Sequence, residues 1–551
     1  MSTRELLGVP PVADRQRVQE SLLKGLLESP FLVLPILAVA LTARLYALDA
    51  QSVWLDEAFS IYVARQPFDR MMEIIVNHDT PPPLYYTMLH LWLGLGFSTF
   101  NARLLSTLLG TSAVLAVYFL GTELRGRRLG AVAGLLMALS PFQVYHGQET
   151  RMYSLLALNC ALSALFLLKA LKTGKWRFWV AYVLATSLAT YTQVASVFFI
   201  AGEWMAVVLY VGFGGTSPHP DPLPEGEGGR GLPLSRGEGR GEWPTAAGAR
   251  PRWIAVLQSY RPWLLSQAAV LLLWLPWLPG FLRQSQTYQR FWIERPTWDS
   301  IVTLGLEFSS YYLPHWKVPF GREVLVAVAL LLALGIAVKV GRREYLFLVC
   351  LFVVPVVAMY LVSQVKPLFL TRALIPSLAP FLLLVAAGIV RLRPRALGVG
   401  LVALLVLLNL TSLYRLYSVP MKEEWEEATT YVVSRAEPKE LVLFVAADAQ
   451  IPFDYYLEGE DLDLERRGLP VDVFSVGPLE PAVKAEDLGR IDQLMAGRDS
   501  FWLIESHADF PDPEGGVRGY SDQQYRQTDL KEFRGISISR YEMRRSVERS
   551  R

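Results

Sequence analysis

The stretch that decides the fold is FLVLPILAVALTARLYAL, residues 31–48, which is followed closely by Trp54-Leu55-Asp56-Glu57. An apolar run of this length can cross a bilayer as a helix. Adjacent carboxylates at the edge of a membrane are costly to desolvate, and such acids are usually retained for binding or catalysis. The stretch therefore predicts a membrane helix with two functional acids, Asp56 and Glu57, just beyond its outer end.

The whole chain has the composition of a polytopic α-helical membrane protein. Of its 551 residues, 52% are hydrophobic and only 19% are charged, and uncharged apolar runs recur along the chain. The formal net charge of +2 is too small to favour nucleic acid as a partner. The two cysteines, Cys160 and Cys350, each lie inside an apolar run, which argues against a disulfide framework and against a thiolate metal site.

Clusters of Lys and Arg set the predicted topology, because such clusters favour the cytosolic side of a membrane. The clusters lie at 125–128, 169–177, 339–343 and 391–395. If all are cytosolic, residues 1–28 form a cytosolic tail, Asp56 and Glu57 lie outside, and the chain crosses about eleven times. The predicted spans are 31–48, 101–122, 129–142, 152–170, 178–194, 195–212, 262–282, 324–340, 345–362, 373–390 and 396–414.

Three segments are predicted to lie outside the spans of the transmembrane domain, which covers residues 29–415. The apolar segment 84–97 has about 14 residues, too few to cross, and is predicted to lie in the outer interface. Residues 213–260 are rich in Gly, Pro, Glu and Arg and predict a disordered cytosolic insertion. Residues 416–551 predict a small external α/β domain, with a helix at 422–435 and strands at 441–446, 471–476, 501–505 and 536–541.

The candidate functional residues collect on the predicted outer face. Acids in the first two outer loops face cations in two later outer segments, one with Lys366 and Arg372 and the other with Arg283, Arg290 and Arg295. The candidates are Asp56, Glu57, His78, Asp79, Tyr85, Glu149, Arg151, Lys366 and Arg372. A carboxylate can take the proton from an attacking hydroxyl, and fixed cations can stabilise the charge on a departing phosphate. This combination predicts transfer of a group from a membrane-lipid phosphate to an external hydroxyl.

Plainer interpretations of these residues also exist. Glu149 and Arg151 could be a surface ion pair at the start of a helix, and Lys366 and Arg372 could be anchors that reach lipid headgroups. A divalent cation between Asp56, Glu57 and Glu149 is an open alternative. The histidines lack the ligand spacing of a recognisable metal site.

Several of these motifs resemble one family of membrane enzymes. They are Trp54-Leu55-Asp56-Glu57, Pro81-Pro82-Pro83-Leu84-Tyr85-Tyr86, the stretch 140–153 with Gln148-Glu149-Thr150-Arg151, and Lys366-Pro367 with Arg372. Together they resemble membrane glycosyltransferases of the GT-C fold. They are most similar to bacterial relatives of dolichyl-phosphate-mannose protein mannosyltransferases and of lipid A aminoarabinose transferases. Lys422-Glu423-Glu424-Trp425 is similar to the external C-terminal part of some bacterial members.

The resemblance implies an inverting transfer of a sugar from a polyprenyl-phosphate donor to a lipid, glycan or protein acceptor. The reaction would take place at the outer face of the cytoplasmic membrane. By position, Asp56 would be the catalytic base, Glu57 its paired acid and Glu149 the acid of the second loop, with Arg151 nearby. Lys366 and Arg372 would face the lipid phosphate. Thr150 and Ala373 stand where many members have Ala and Tyr.

Two alternatives stay open at this point. A transporter or flippase for lipid-linked sugars could also place acids and cations at the membrane edge, although such proteins tend to have ionisable residues at the midplane and repeated halves. A silent family member could bind a lipid-linked glycan without reaction. The sequence identifies neither the sugar nor the acceptor, because specificity lies in the shape of a pocket built from distant loops.

Overall fold

A computed structural model describes residues 29–78, 81–212, 252–287, 293–309, 342–475 and 481–544. Up to residue 418 the described chain is helical. Its helices are α1 Val33–Leu45, α2 Leu55–Arg65, α3 Phe68–His78, α4 Leu84–Leu93, α5 Thr99–Arg125, α6 Arg127–Leu139, α7 Pro141–Gly147, α8 Tyr153–Thr173, α9 Trp176–Thr192, α10 Ser196–Gly212, α11 Arg252–Trp274, α12 Leu278–Thr287, α13 Trp298–Phe308, α14 Arg342–Ser363, α15 Leu378–Arg391 and α16 Arg395–Ser418. A 3-10 helix, Thr371–Ser377, leads into α15.

The predicted spans coincide with these helices, except for 324–340, which lies outside the described residues. Within the described part, 6 helical stretches are long and apolar enough to cross a membrane: Thr99–Arg125, Tyr153–Thr173, Tyr260–Ser285, Arg343–Ser363, Thr371–Arg391 and Arg395–Ser418. The α6 and α7 helices form a further span if they are counted as one, with a bend of 60°. The protein is therefore a polytopic helical protein, and the count of eleven spans stays a prediction.

Two local features of this region differ from or refine the sequence analysis. Helix α11 begins at Arg252, so residues 252–260 are helical where the sequence predicted the end of a disordered insertion. The apolar run that begins at Trp253 continues the helix backwards from the predicted span. Helix α4 has only 10 residues, or about 15 Å of helix, which is half the thickness of a bilayer core.

The C-terminal part contains a sheet of five strands with helices on both faces. Its elements are α17 Trp425–Val433, β1 Leu441–Val445, α18 Gln450–Leu457, β2 Glu465–Leu469, α19 Gly489–Met495, β3 Ser500–Glu505, α20 Gly516–Gln524, β4 Tyr525–Phe533 and β5 Ile536–Met543. The strand order is β2-β1-β3-β5-β4, with β1 parallel to β2 and β3 and the other pairs antiparallel. Successive residues of β1, such as Val442 and Leu443, point to opposite faces of the sheet and pack into separate cores.

The predicted helix at 422–435 and the predicted strands at 441–446, 501–505 and 536–541 are confirmed. The predicted strand at 471–476 is wrong. Pro470 has no N–H to donate to a ladder, and Asp472 turns the chain by accepting a hydrogen bond from the Gly468 N–H at 3.0 Å. The missed strand just before it, β2, is a charged edge strand.

A buried ion cluster joins the helical part to the C-terminal part, and we call Glu57, Arg103 and Lys422 the Glu57 cluster. Arg103 donates from Nε and Nη2 to the two Glu57 oxygens at 2.9 and 2.7 Å. Lys422 Nζ donates to Oε2 at 2.7 Å, and the Thr150 N–H donates to Oε1 at 2.9 Å. Burial by itself would raise the pKa of Glu57, but Arg103 and Lys422 outweigh it and lower the pKa to about 2.

The segment around Lys422 also fastens the chain that leads into α2. The side-chain oxygen of Gln51 accepts hydrogen bonds from the Met421 and Lys422 N–H groups at 3.0 and 3.3 Å. Glu423 Oε2 accepts from the Leu55 N–H at 3.4 Å, which caps the first turn of α2. The C-terminal part therefore positions the helix that carries Asp56.

Close helix packing at Gly130 gives a first prediction. A Cβ added there would lie 2.4 Å from the Tyr118 carbonyl oxygen and 2.5 Å from Thr122 Oγ1, so α5 and α6 would have to separate. We expect Gly130→Ala to destabilise the protein by about 1–3 kcal/mol. Gly400→Ala is the control, because an added Cβ there meets no atom within 4 Å. Thermal unfolding in detergent measures both, and equal midpoints would contradict this packing.

The Glu57 cluster gives a second prediction. Glu57→Gln keeps the shape of the side chain but leaves Arg103 and Lys422 buried without their counter-ion, and we expect a loss of about 3–5 kcal/mol. Glu73→Gln is the control, because Glu73 pairs with Arg70 at the surface, where the pair contributes little. The same melting measurement compares the two variants, and a similar small loss in both would show that the cluster is not a structural centre.

The Glu57 cluster also predicts a dependence of stability on pH. The pKa of Glu57 in the folded protein lies below its ordinary value of 4.5. Its contribution is therefore complete above about pH 4.5 and is lost as the pH falls towards 2. Glu57→Gln should flatten this part of the curve of unfolding free energy against pH.

Candidate active site

Asp56 and Glu57 lie in the first turn of α2 and face different neighbours. Successive side chains on a helix point about 100° apart. Glu57 is fully buried in the Glu57 cluster, whereas the Asp56 side chain is 27% exposed. Of the two adjacent acids, only Asp56 is therefore accessible to a substrate.

Two arginines surround the Asp56 carboxylate. Arg372 Nη1 lies 3.3 Å and Arg151 Nη2 lies 3.8 Å from Asp56 Oδ2. Arg151 is held along α2, because its Nη1 donates to the Asp56 carbonyl oxygen and to Ser60 Oγ, each at 3.1 Å. The Arg372 guanidinium lies 5.9 Å from the ring centre of Tyr153. The structure thus brings together three of the predicted residues, one acid and two cations.

Glu149 lies in the buried turn between α7 and α8. His146 Nδ1 is 2.7 Å from Glu149 Oε2, and both side chains are almost fully buried. The next residue, Thr150, reaches Glu57 through its backbone N–H. This contact does not depend on whether the side chain is Thr or Ala.

Tyr85 lies behind the site, where burial raises its pKa. Its hydroxyl is 2.9 Å from Ser106 Oγ, and Ser106 Oγ donates to the Arg151 carbonyl oxygen at 3.2 Å. Tyr85 therefore supports the turn that carries Arg151. Of the remaining candidates in the first loop, His78 is the last residue of α3, and Asp79 lies outside the described residues.

Lys366 lines a separate cavity of about 280 Å³. The walls come from α10, α12, α14 and the segment 366–373, and they include Phe198, Phe281, Met359 and Leu370. Lys366 is the charged member of this described lining. Leu370 and Ala373 flank Arg372 in the chain, so the cavity approaches the Asp56 site from the side of Arg372.

The C-terminal part contributes a group of three further ionisable residues, Glu423, Asp448 and His507, and the charges of the two acids interact with that of Asp56. Glu423 Oε1 lies 3.2 Å from His507 Nε2. Burial raises the pKa of Asp448 to about 6, with His507 lowering it and the carboxylates Glu423 and Asp56 raising it. Burial also raises the pKa of Glu423. Asp56 therefore interacts with two carboxylates as well as with the two arginines.

The sheet topology explains how Asp448 and His507 come together. Asp448 follows the end of β1, and His507 follows the end of β3. These neighbouring strands are parallel. Strands β2 and β3 lie on opposite sides of β1, so the strand order reverses at β1. The carboxyl edge of a sheet at such a reversal is where open α/β sheets commonly bind ligands.

Some of the residues described above were not candidates in the sequence analysis, although the sequence contains a signal for them. Arg103 is the lone charged residue of the predicted span 101–122, and an intramembrane charge predicts a partner. Lys422 and Glu423 belong to a motif already recognised as similar to family members. Asp448 and His507 have no local signal. The part of the chain that the structure describes contains no group of 3 or more His, Cys, Asp or Glu residues arranged to hold a metal ion.

Comparisons with known proteins agree with the resemblance seen in the motifs. Residues 79–213 match the family described as dolichyl-phosphate-mannose-protein mannosyltransferase. No curated protein matches the chain. The crystal structure of ArnT from Cupriavidus metallidurans in the apo state has a TM-score of 0.59 and 14% sequence identity. The match covers 92% of this chain and 97% of that one.

A second ArnT structure from the same organism, bound to undecaprenyl phosphate, has a TM-score of 0.56 and 13% identity, with the same 92% and 97% coverage. At these identities the likeness concerns the fold. The predicted resemblance is confirmed, and the chain has the GT-C fold of these ArnT structures.

Proposed function

We propose that the protein is an integral membrane glycosyltransferase that transfers a sugar, with inversion, from a polyprenyl-phosphate donor to an acceptor hydroxyl. The acceptor is a lipid, a glycan or a protein. The observation that carries this proposal is the accessible Asp56 carboxylate with Arg372 at 3.3 Å and Arg151 at 3.8 Å. The match of residues 79–213 to a mannosyltransferase family supports the same chemistry.

In the proposed reaction, Asp56 removes the proton of the acceptor hydroxyl. The acceptor oxygen forms a bond to the anomeric carbon as the bond from that carbon to the phosphate oxygen breaks on the opposite face. The electron pair of the broken bond leaves with the polyprenyl phosphate. No general acid is needed, because phosphate is a good leaving group.

The short distance between Asp56 and Arg372 couples removal of the acceptor proton to departure of the phosphate. While Asp56 is ionised, it neutralises part of the Arg372 charge. As Asp56 gains the proton, Arg372 becomes a stronger electrostatic partner for the phosphate, at the moment when negative charge develops there. Such preorganised charge is usually a large part of enzymatic rate enhancement.

The charges of two nearby acids oppose the effect of the arginines on Asp56. Arg151 and Arg372 alone would favour the ionised form so strongly that Asp56 would be a weak base. Glu423 and Asp448 act in the opposite direction. We assign to Glu57, Glu149 and Tyr85 a positioning role, because each is buried and bonded to neighbouring protein groups.

The cavity beside Lys366 is a suitable site for the first isoprene units of the donor. It is lined by apolar side chains, and its cation can pair with a phosphate. The ArnT structure with bound undecaprenyl phosphate, which has the same fold, supports a lipid phosphate as ligand. We place the site and the C-terminal part at the outer face of the cytoplasmic membrane, in agreement with the distribution of cationic clusters.

Substitution of Asp56 tests the proposed function. We expect purified wild-type protein to hydrolyse or transfer labelled undecaprenyl-phosphate sugars from a panel, and Asp56→Asn to lose this activity by about 10²- to 10⁴-fold because the base is gone. Binding of undecaprenyl phosphate should persist. Asp69→Asn, at an exposed position of α3, is the control with unchanged activity.

Two outcomes would contradict the proposal. Normal turnover by Asp56→Asn would remove Asp56 as the base. Movement of the labelled lipid between the leaflets of proteoliposomes, without transfer or hydrolysis, would indicate a flippase instead.

The pKa of Asp448 predicts a dependence of activity on pH. Burial and the carboxylates Glu423 and Asp56 raise that pKa to about 6 against the opposing effect of His507. Above this pH Asp448 is ionised, and its negative charge makes Asp56 a stronger base against Arg372 and Arg151. We expect kcat/KM to rise as the pH increases through about 6.

Asp448→Asn should lower the plateau of kcat/KM and remove the part of the rise near pH 6. The control Asp463→Asn, at an exposed position before β2, should keep the wild-type profile. An unchanged profile in Asp448→Asn would separate Asp448 from the ionisation of Asp56.

A further inference from the structure

Glu307 is a buried carboxylate that the proposed reaction has not used. It lies on the inner face of α13 together with Leu304 and Phe308. Phe308 fixes this face, with its ring 5.4 Å from that of Phe142 and 5.7 Å from that of Phe381. Phe142 belongs to α7 and Phe381 to α15, so this face of α13 packs towards those two helices.

The hydrogen bonding of Glu307 is incomplete. Its residue is 7% exposed, and its buried Oε2 has no hydrogen-bond partner among the described residues. Burial raises the pKa of Glu307 to about 7, and a hydrogen bond with the Thr371 side chain acts in the opposite direction. By contrast, Glu203, another buried acid, accepts from Ser163 at 2.6 Å and from Tyr182 at 3.2 Å.

An unsatisfied buried polar group costs about 2–7 kcal/mol, and such a group in a native protein often has a functional explanation. The free side of Glu307 therefore indicates a ligand group. Thr371 places this carboxylate next to the reacting centre, because the following residue, Arg372, is the one that lies 3.3 Å from Asp56.

The chemistry of the carboxylate distinguishes the parts of the donor that could fill this position. A phosphate would be repelled by an ionised carboxylate. A sugar hydroxyl can donate to the ionised form and can also accept from the protonated form, so it satisfies Glu307 in either state. A sugar on a phosphate held by Arg372 would lie near Thr371, the preceding residue, with which Glu307 interacts.

We propose that Glu307, together with Thr371, binds a hydroxyl group of the donor sugar and so helps to select which sugar is transferred. This inference rests on the proposed function and adds a sugar-recognising residue to it. Glu307 then accounts for discrimination among sugars, whereas Lys366 and Arg372 recognise the phosphate that all such donors share.

The test compares two lipid probes, undecaprenyl phosphate without sugar and the undecaprenyl-phosphate sugar from a panel of hexoses and pentoses that binds best. Binding is measured in the Asp56→Asn background, where the donor is not consumed. We expect Glu307→Ala to weaken binding of the sugar lipid by about 10- to 100-fold and to change binding of undecaprenyl phosphate less than about 2-fold. Glu294→Gln, an exposed acid ahead of α13, is the matched control with no change.

Donors with deoxy sugars and the Glu307→Gln variant test the proposed hydrogen bond more directly. A donor that lacks the recognised hydroxyl should bind the Glu307→Ala variant and its parent equally well. Glu307→Gln should lose less than Glu307→Ala, because an amide can still bond a hydroxyl. Thermal unfolding should show little loss of stability in Glu307→Gln, since one of the two carboxylate oxygens has no partner among the described residues. Glu307→Ala should lose some stability, because it also removes buried methylene groups and the hydrogen bond with Thr371.

Equal weakening of both probes, or no weakening of either, would overturn the role of Glu307. Failure of the proposed function is recognised separately, in the wild-type protein. If the wild-type protein turns over no sugar lipid and binds undecaprenyl phosphate as well as any sugar lipid, both ideas fall. If it turns over a sugar lipid and Glu307→Ala binds that lipid normally, only the present inference is wrong.

Discussion

The structure depends on one buried carboxylate, Glu57, which accepts hydrogen bonds from groups that lie 46, 93 and 365 residues away in the chain. Buried charges are stable only when each one has a partner of opposite charge. The cluster therefore favours the one arrangement of its chain segments in which all these charges are paired. Arg103 extends the arrangement by donating to the carbonyl oxygens of Leu48, Gln51 and Ser52. The entry to α2 is therefore fixed from several sides.

This constraint separates two residues that the sequence presents as a pair. Glu57 is committed to protein partners, and that commitment holds the first turn of α2 in place. Asp56, one residue earlier, has an accessible carboxylate, and the contacts of Glu57 fix the helix turn that positions it relative to Arg151 and Arg372. Adjacent acids in a motif can thus divide into one structural and one chemical residue, because a helix turns them towards different surroundings.

The features that the sequence could predict are those with a local signal. Apolar runs located the helices and strands β1 and β3, alternation located β5, and the position of Asp56 beside an apolar run identified it as a functional candidate. Strand β2 was missed because its charged residues suit an edge of the sheet and do not show the alternation of a half-buried strand.

The site was only partly predictable for the same reason. The salt bridge of Lys422 with Glu57 and the interaction of Asp448 with Asp56 join residues that are distant in the chain. Such contacts follow from the packing of whole elements, which no short pattern specifies. Glu307 belongs to this group as well, since its incomplete hydrogen bonding becomes visible only when its neighbours are known.

The distance of 365 residues between Glu57 and Lys422 also orders events during biosynthesis. At about 5–20 residues per second, a ribosome needs roughly 20–70 s to make the chain between them. During that interval Glu57 has Arg103 but lacks its second cation, and the first turn of α2 lacks the cap from Glu423. The reactive centre is therefore assembled only after the segment with Lys422 and Glu423 has been made. A chain released before that point would carry Asp56 and Glu57 without their final geometry.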